Sequence, residues 1–101
     1  MTADVETINR TDSTIKTKPP GKWKVVFFND DSTPMDYVIQ VLMQIFNHSF
    51  DSAKEITLTI HGSGRGVAGI YPYEIAEQKA SETVADSRGH GYPLAVELEK
   101  E

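Results

Sequence analysis

Residues 23–35, WKVVFFNDDSTPM, decide the fold of this chain. The first six are mostly β-branched or aromatic, which predicts a strand that ends where the polar residues begin. A helix start follows at once, with Thr33 placed as a hydroxyl cap, Pro34 at the first helical position and Asp36 in the first turn. Residues 29–32 are therefore expected to form a tight connection between a strand and a helix.

This connection is rich in hydrogen-bond acceptors. Asn29, Asp30 and Asp31 supply one amide and two carboxylates, and the amide NH2 is their only side-chain donor. Such a group is suited to bind a cation or an N–H group, although Asx residues also favour turns for purely structural reasons. Met35 follows with a flexible apolar side chain that is free to line a pocket. The stretch predicts a binding site.

Composition narrows the possible functions. The 101 residues, of which 39% are apolar, suffice for one small domain. The absence of cysteine excludes disulfides, thiolate metal sites and cysteine nucleophiles. We see neither a membrane-spanning stretch nor a signal peptide, so a cytoplasmic location is expected. A formal net charge of −5 opposes binding to nucleic acid, and the expected partner is a protein or peptide.

The chain divides into an arm and a domain. Residues 1–21 combine threonines, mixed charges and few apolar side chains, and they end in Lys-Pro-Pro-Gly. Such a segment buries too little surface to offset its conformational entropy, which predicts a disordered N-terminal extension. Residues 22–101 are left as the folded domain.

Two helices are predicted after the acceptor stretch. Residues 35–47 place apolar side chains at helical spacing, with an inward face of Val38, Val41, Leu42, Ile45 and Phe46. The second helix is expected to be capped by Asp51 or Ser52, with Ser52 and Glu55 as a capping box, and to end at Gly62. Residues 56–60 also alternate like a strand, but the helical stripe is favoured, and it puts Thr57 and His61 on one face.

The remaining chain predicts a strand, a helix and a last strand. Residues 62–66 form a glycine-rich turn that lacks the lysine of a phosphate loop. A strand over 67–71 leads to Pro72, which opens a helix to about Arg88 that ends at Gly89 and Gly91. Its expected inward residues are Ile75, Ala76, Ala80, Thr83 and Val84. Residues 94–99 alternate as a strand, so the order β-α-α-β-α-β predicts an α+β fold: a three-stranded antiparallel sheet with three helices packed on one side.

Catalytic and metal-binding patterns are weak. Asp30, Asp31 and His61 could serve as acids and bases, but no nucleophile pattern accompanies them. The three histidines, His48, His61 and His90, lack metal-ligand spacing. A histidine after a helix is also a common structural feature. We therefore expect a protein that is not an enzyme and that uses no metal or cofactor.

Several separated motifs resemble the ClpS family, the small adaptors of the ATP-dependent Clp protease. These are Asn29-Asp30-Asp31-x-Thr33-Pro34-Met35-x-x-Val38, His61 at the end of the second helix, Glu74-x-Ala76-Glu77-x-Lys79 in the third, and Pro93-Leu94 before the last strand. The resemblance spans roughly residues 22–99. It supports the second helix and implies the same sheet-and-helix fold, which in outline is that of the ribosomal-stalk C-terminal domain.

The resemblance also implies a function and assigns residues to it. Such adaptors bind N-degrons, substrates with a free N-terminal Leu, Phe, Tyr or Trp, and deliver them to the N-terminal domain of a ClpA-type unfoldase. By position, the substrate amine would be bound by Asn29, Asp30 and His61, and the first side chain by a pocket of Thr33, Met35, Val38, Thr57, Ile60 and Leu94. Met35 would act as a gate against β-branched side chains. Glu74 and Lys79 match the unfoldase-docking surface, the N-terminal extension would be engaged during delivery, and a monomer is expected.

Two residues depart from the family pattern. Thr57 stands where the family commonly has methionine, and Pro72 replaces the usual hydroxyl cap. A shorter, partly polar pocket wall leaves open an alternative, a docking modulator or inhibitor of the unfoldase with altered substrate recognition. Two further alternatives are an acid/base enzyme that uses Asp30 and His61, and a generic interaction domain of the ribosomal-stalk type, which would not need the acceptor cluster.

Overall fold

A computed structural model of the chain describes residues 21–101. Its elements, in chain order, are β1 (Lys22–Phe28), α1 (Met35–Gln44), α2 (Phe50–Ser63), β2 (Arg65–Pro72), α3 (Tyr73–Gly89) and β3 (Ala95–Lys100). The predicted order β-α-α-β-α-β is confirmed. Apart from the exposed Gly21, the predicted N-terminal extension lies outside the described residues.

The sheet is built around β1. This strand pairs antiparallel with β2 on one edge and with β3 on the other, which gives the order β2-β1-β3. Val25 and Phe27 project to the face that the helices cover and are wholly buried. On the opposite face Val26 is buried too, and Arg65 reaches across β1 to form a 2.5 Å ion pair with Glu99. The predicted three-stranded antiparallel sheet is confirmed.

One apolar core joins the three helices to one face of the sheet, as predicted. Leu42 is the largest wholly buried helical side chain in it, and burying a side chain of this size contributes about 1.5–3 kcal/mol. The core residues are Val25, Phe27, Val38, Val41, Leu42, Phe46, Ala53, Ile60, Ala68, Ala76 and Leu94.

Both ends of α1 differ from the prediction. Pro34 is the N-cap residue, and no side chain caps the helix. The expected cap at Thr33 is wrong because its hydroxyl donates to the Asp30 carboxylate instead. At the other end α1 stops at Gln44, three residues early, and Asn47 adopts a φ of 60°, a left-handed conformation that asparagine tolerates.

Helix α2 is confirmed over residues 56–60, but its predicted caps are wrong. Ser49 is the N-cap and accepts a hydrogen bond from the Ser52 backbone N–H at 3.2 Å, so neither Asp51 nor Ser52 has this role. The helix runs past Gly62 and ends at Ser63, with Gly64 as its C-cap, whose φ of 91° lies in the left-handed region that glycine adopts without strain.

The C-terminal half differs in detail. Pro72 ends β2 and is the N-cap of α3, not its first helical residue. Ile75, predicted to point inward, is 44% exposed, whereas Ala76 and Thr83 are buried as expected. Leu94 is 1% exposed and precedes β3 instead of belonging to it. None of the helices in residues 21–101 is long and apolar enough to cross a membrane.

Candidate binding site

The acceptor stretch is fixed next to the end of α2 by a backbone hydrogen bond. The N–H of Asn29, the first residue after β1, donates to the carbonyl oxygen of Gly64 at 2.9 Å. His61 lies in the last turn of α2, just before Gly64. This bond therefore brings Asn29 and Asp30 close to His61, and all three side chains line one cavity.

The carboxylate of Asp30 is held in place by its own loop. Its Oδ1 accepts hydrogen bonds from the backbone N–H groups of Ser32 and Thr33, and its Oδ2 accepts one from the Thr33 hydroxyl, each at 2.8 Å. Burial raises the pKa of Asp30, but these hydrogen bonds, with a smaller contribution from the charge of Arg88, outweigh it. The pKa of Asp30 is therefore below its ordinary value, and the group is an anion near neutral pH.

This arrangement leaves capacity for a ligand. A carboxylate offers about four acceptor positions, and the loop uses three of them. The exposed side chains of Asn29 and His61 form no hydrogen bond to any residue in the described range 21–101. The three groups together present an anion, an amide oxygen and a ring nitrogen at the mouth of one cavity.

Behind the polar groups the cavity is apolar and narrow. Its wall is formed by Phe28, Thr33, Met35, Val38, Thr57 and Ile60. The free space is about 20 Å³, roughly enough for one water molecule. A large side chain can enter only if the wall moves. Met35 is 36% exposed and has three rotatable bonds, so it is the wall residue best able to move.

Thr57 is a buried residue of this wall. It is 2% exposed, and its hydroxyl donates to the carbonyl oxygen of Ala53, one helical turn earlier, at 2.8 Å. The hydroxyl proton is thus engaged within α2 and is not available as a donor in the cavity. The wall that the sequence predicts to be partly polar therefore has no free hydroxyl donor at Thr57.

The structure brings together most of the predicted site. All the predicted amine-binding residues and all the predicted pocket residues except Leu94 line the cavity. Leu94 belongs to the core and does not line it. Phe28 lines it and was missed, although its position next to Asn29 was a usable signal. Asp31 is exposed and is not among the lining residues.

The two predicted docking residues lie on α3. Glu74 is in its first turn and is exposed. Lys79 is partly buried, and its Nζ donates to the carbonyl oxygen of Ile45 at 2.7 Å. The same ammonium lies 5.3 Å from the ring centroid of Tyr71 and 5.7 Å from that of Phe46. Lys79 therefore links α3 to the end of α1, a structural role that the sequence did not predict.

Comparisons with known proteins agree with these features. The family model described as ATP-dependent Clp protease adaptor protein ClpS matches residues 18–97. The ATP-dependent Clp protease adapter protein ClpS of Wolinella succinogenes is 47% identical to this chain, and the match covers 80% of this chain and 79% of that protein. The ATP-dependent Clp protease adapter protein ClpS of Deinococcus radiodurans is 44% identical, and the match covers 95% of this chain and 81% of that protein.

A solved structure is also similar. Agrobacterium tumefaciens ClpS2 bound to L-phenylalaninamide superposes with a TM-score of 0.78 at 35% identity, and the match covers 82% of this chain and all of that one. The family match extends over most of the chain and includes every element of the fold except the last three residues of β3. The chain therefore belongs to the ClpS family of ATP-dependent Clp protease adaptor proteins.

Proposed function

We propose that this adaptor binds the free N-terminal residue of polypeptides that begin with Leu, Phe, Tyr or Trp, and that it delivers them to a ClpA-type unfoldase without catalysing a reaction. One observation carries the proposal: an ionised Asp30 with a remaining acceptor position stands at the mouth of an apolar cavity. The ligand of the similar Agrobacterium tumefaciens protein, L-phenylalaninamide, combines an amine with an aromatic side chain.

The chemistry of the ligand matches that of the cavity mouth. An α-amino group has a pKa of about 7.7–8.0, so it is mostly protonated near neutral pH and presents three N–H donors. Asp30 accepts one of these donors and balances the charge, while the Asn29 amide oxygen and a ring nitrogen of His61 accept the others. All three groups line the cavity, which supports this assignment.

The first side chain of the substrate enters the apolar cavity. Burial of a Leu or Phe side chain contributes about 2 kcal/mol to binding. Because the cavity has room for little more than a water molecule, Met35 moves aside to admit the side chain. A β-branched side chain is bulky close to its backbone and would collide with Met35 on entering the cavity, which makes Met35 the gate of the pocket.

Delivery uses a second surface. We assign docking on the N-terminal domain of the unfoldase to the face of α3 that carries Glu74 and Lys79, and we assign the N-terminal extension, residues 1–21, to the delivery step. The adaptor acts as a cytoplasmic monomer. The exposed position of Glu74 supports the docking assignment, whereas the contacts of Lys79 give that residue a role in folding as well.

The alternative of a docking modulator with altered recognition rests on the shorter, partly polar wall that Thr57 provides. The hydrogen bond from the Thr57 hydroxyl to the Ala53 carbonyl oxygen uses the hydroxyl proton within α2, so this wall offers no hydroxyl donor to a substrate. A pocket with this lining remains suited to leucine and aromatic side chains.

Calorimetric titration of L-phenylalaninamide against N-acetyl-L-phenylalaninamide tests the proposed function. Acetylation removes the positive charge and two donors, so the Asp30 carboxylate is left beside an amide, and binding should weaken by about 2–5 kcal/mol. Asp30→Asn keeps the shape of the residue but removes its charge, and it should weaken binding of the free amine while changing the affinity for the acetylated ligand little. Equal affinities of the wild type for both ligands would refute the proposal.

A further inference from the structure

Gly66, in β2, lies directly against Ile60 of α2. A Cβ at Gly66 would be 2.7 Å from Ile60 Cγ1 and 3.5 Å from the Ile56 carbonyl oxygen. Two carbon atoms cannot approach as closely as 2.7 Å, so any side chain at this position would displace Ile60. The φ of Gly66 lies outside the left-handed region, and its backbone therefore does not itself require glycine.

Ile60 borders the binding cavity. The side chain is 4% exposed and belongs to the core, but it also forms part of the cavity wall. Protein cores are close-packed, so Ile60 pushed away from β2 has little room except in the cavity. Isoleucine on a helix is stiff at χ1, which prevents it from folding back on itself.

We propose that Gly66 is a positioning residue that sets the depth of the pocket through Ile60, and thereby selects the size of the first side chain that the adaptor accepts. This inference rests on the proposed function and deepens it. With about 20 Å³ of free space in the cavity, even one added methyl group behind Ile60 is large relative to the room available. Trp needs the deepest pocket of the proposed first residues, and Leu needs the shallowest.

The test is the ratio of two dissociation constants, Kd for L-tryptophanamide over Kd for L-leucinamide, measured by calorimetry. In Gly66→Ala this ratio should rise about tenfold, which corresponds to ~1.4 kcal/mol. The matched control is Gly89→Ala, because a Cβ there meets nothing within 4 Å and its φ also lies outside the left-handed region. The control should keep the wild-type ratio. A general loss of stability would lower the binding of both ligands without changing their ratio.

A second pair of variants tests the inference with conserved core volume. Ile60→Val removes the methyl group Cδ1 and should lower the ratio, since the cavity becomes deeper. Adding Gly66→Ala restores the lost volume on the other side, and such volume-conserving changes are well tolerated. The double variant should return the ratio to near the wild-type value, which makes this comparison decisive even if Gly66→Ala alone folds poorly.

The outcomes separate the inference from the proposed function. If the wild type binds neither amide, the proposed function is wrong and this inference fails with it. Suppose instead that the wild type binds both amides, but that the double variant has the same ratio of dissociation constants as Ile60→Val alone. Only the inference about Gly66 is then overturned. A raised ratio in Gly66→Ala that Ile60→Val reverses supports both.

Discussion

Replacing Lys79 with methionine should destabilise the fold, because its ammonium group connects two helices. Its Nζ donates to the carbonyl oxygen of Ile45, the C-cap residue of α1, and lies near two aromatic rings. A hydrogen bond from a charged donor contributes about 1.5–3 kcal/mol. Each cation–π contact adds about 0.5–1 kcal/mol at a partly exposed site. Since the site is only partly buried and these terms overlap, Lys79→Met should cost about 2 kcal/mol.

Urea unfolding monitored by circular dichroism measures this cost. With a slope of about 1–2 kcal/mol/M for a small domain, the midpoint should fall by about 1–2 M. Lys54→Met is the matched control, because Lys54 is exposed on α2 and has no hydrogen bond or ion pair to the described residues 21–101. Equal midpoints for both variants and the wild type would refute a structural role for Lys79.

The same result determines how docking on the unfoldase is tested. If a Lys79 variant is partly unfolded, a loss of docking can come either from the missing docking contact or from the loss of folded protein. Binding must therefore be compared under conditions where circular dichroism shows Lys79→Met to be fully folded. Retained docking by the folded Lys79→Met variant, with loss in Glu74→Ala, would confine the docking role to Glu74.

Other changes have equally definite expected results. Substrate binding should fall above about pH 8, where the α-amino group of L-phenylalaninamide loses its proton, as calorimetry across the pH range can show. Thr57→Val should leave the affinity for L-phenylalaninamide within about twofold, because the Thr57 hydroxyl forms a hydrogen bond only within α2. Thr57→Met should instead weaken the binding of L-tryptophanamide, because the longer side chain fills the cavity. Ser49→Ala should lower the free energy of unfolding by about 1 kcal/mol, because α2 loses its N-cap, and urea unfolding measures this change. Ser52→Ala should lower the free energy of unfolding by less, because Ser49 is the capping residue.

The order of elements was predictable because hydrophobic periodicity reports which faces are buried. The run of β-branched and aromatic residues that contains Val25 and Phe27, and the helical stripe from Val38 to Phe46, both contribute to the core. Helix ends were less predictable. Ser49 and Ser52 are both suitable caps, and only the path of the chain before α2 determines which one has extended backbone angles. In the same way, Gly62 and Gly64 are equivalent in the sequence, but only Gly64 has the left-handed conformation.

The site was predictable where its residues are close together in the sequence, and less predictable where they are far apart in the sequence. Asn29, Asp30 and Met35 are neighbours in sequence, and the spacing of Thr57 and His61 on α2 follows from helix geometry. The wall near the end of β1 depends on tertiary packing instead. For this reason the sequence did not distinguish Leu94, which belongs to the core, from Phe28, which lines the cavity.

Thr33 shows why a local pattern can indicate two different structures. A threonine before proline at the start of an amphipathic helix is typical of an N-cap, but a threonine three residues after an aspartate is also placed to donate to its carboxylate. The structure has the second arrangement, and α1 has no side-chain cap. A lost cap costs about 1 kcal/mol, whereas each hydrogen bond to a carboxylate contributes about 1.5 kcal/mol even at the lower end of its range. The arrangement that orients Asp30 is therefore also the more stable one.

Stability and ligand binding consequently depend on the same charge. The pKa of Asp30 is lowered in the folded state, so this carboxylate stabilises the fold at pH values above its unfolded-state pKa of about 3.9. That stabilisation is lost as the pH falls through the folded-state pKa. Protonation would remove the acceptor for the substrate amine and weaken the bonds from Ser32 and Thr33 in the same step. Asp30→Asn should therefore reduce both amine binding at neutral pH and the loss of stability as the pH falls below the unfolded-state pKa, since one carboxylate causes both effects.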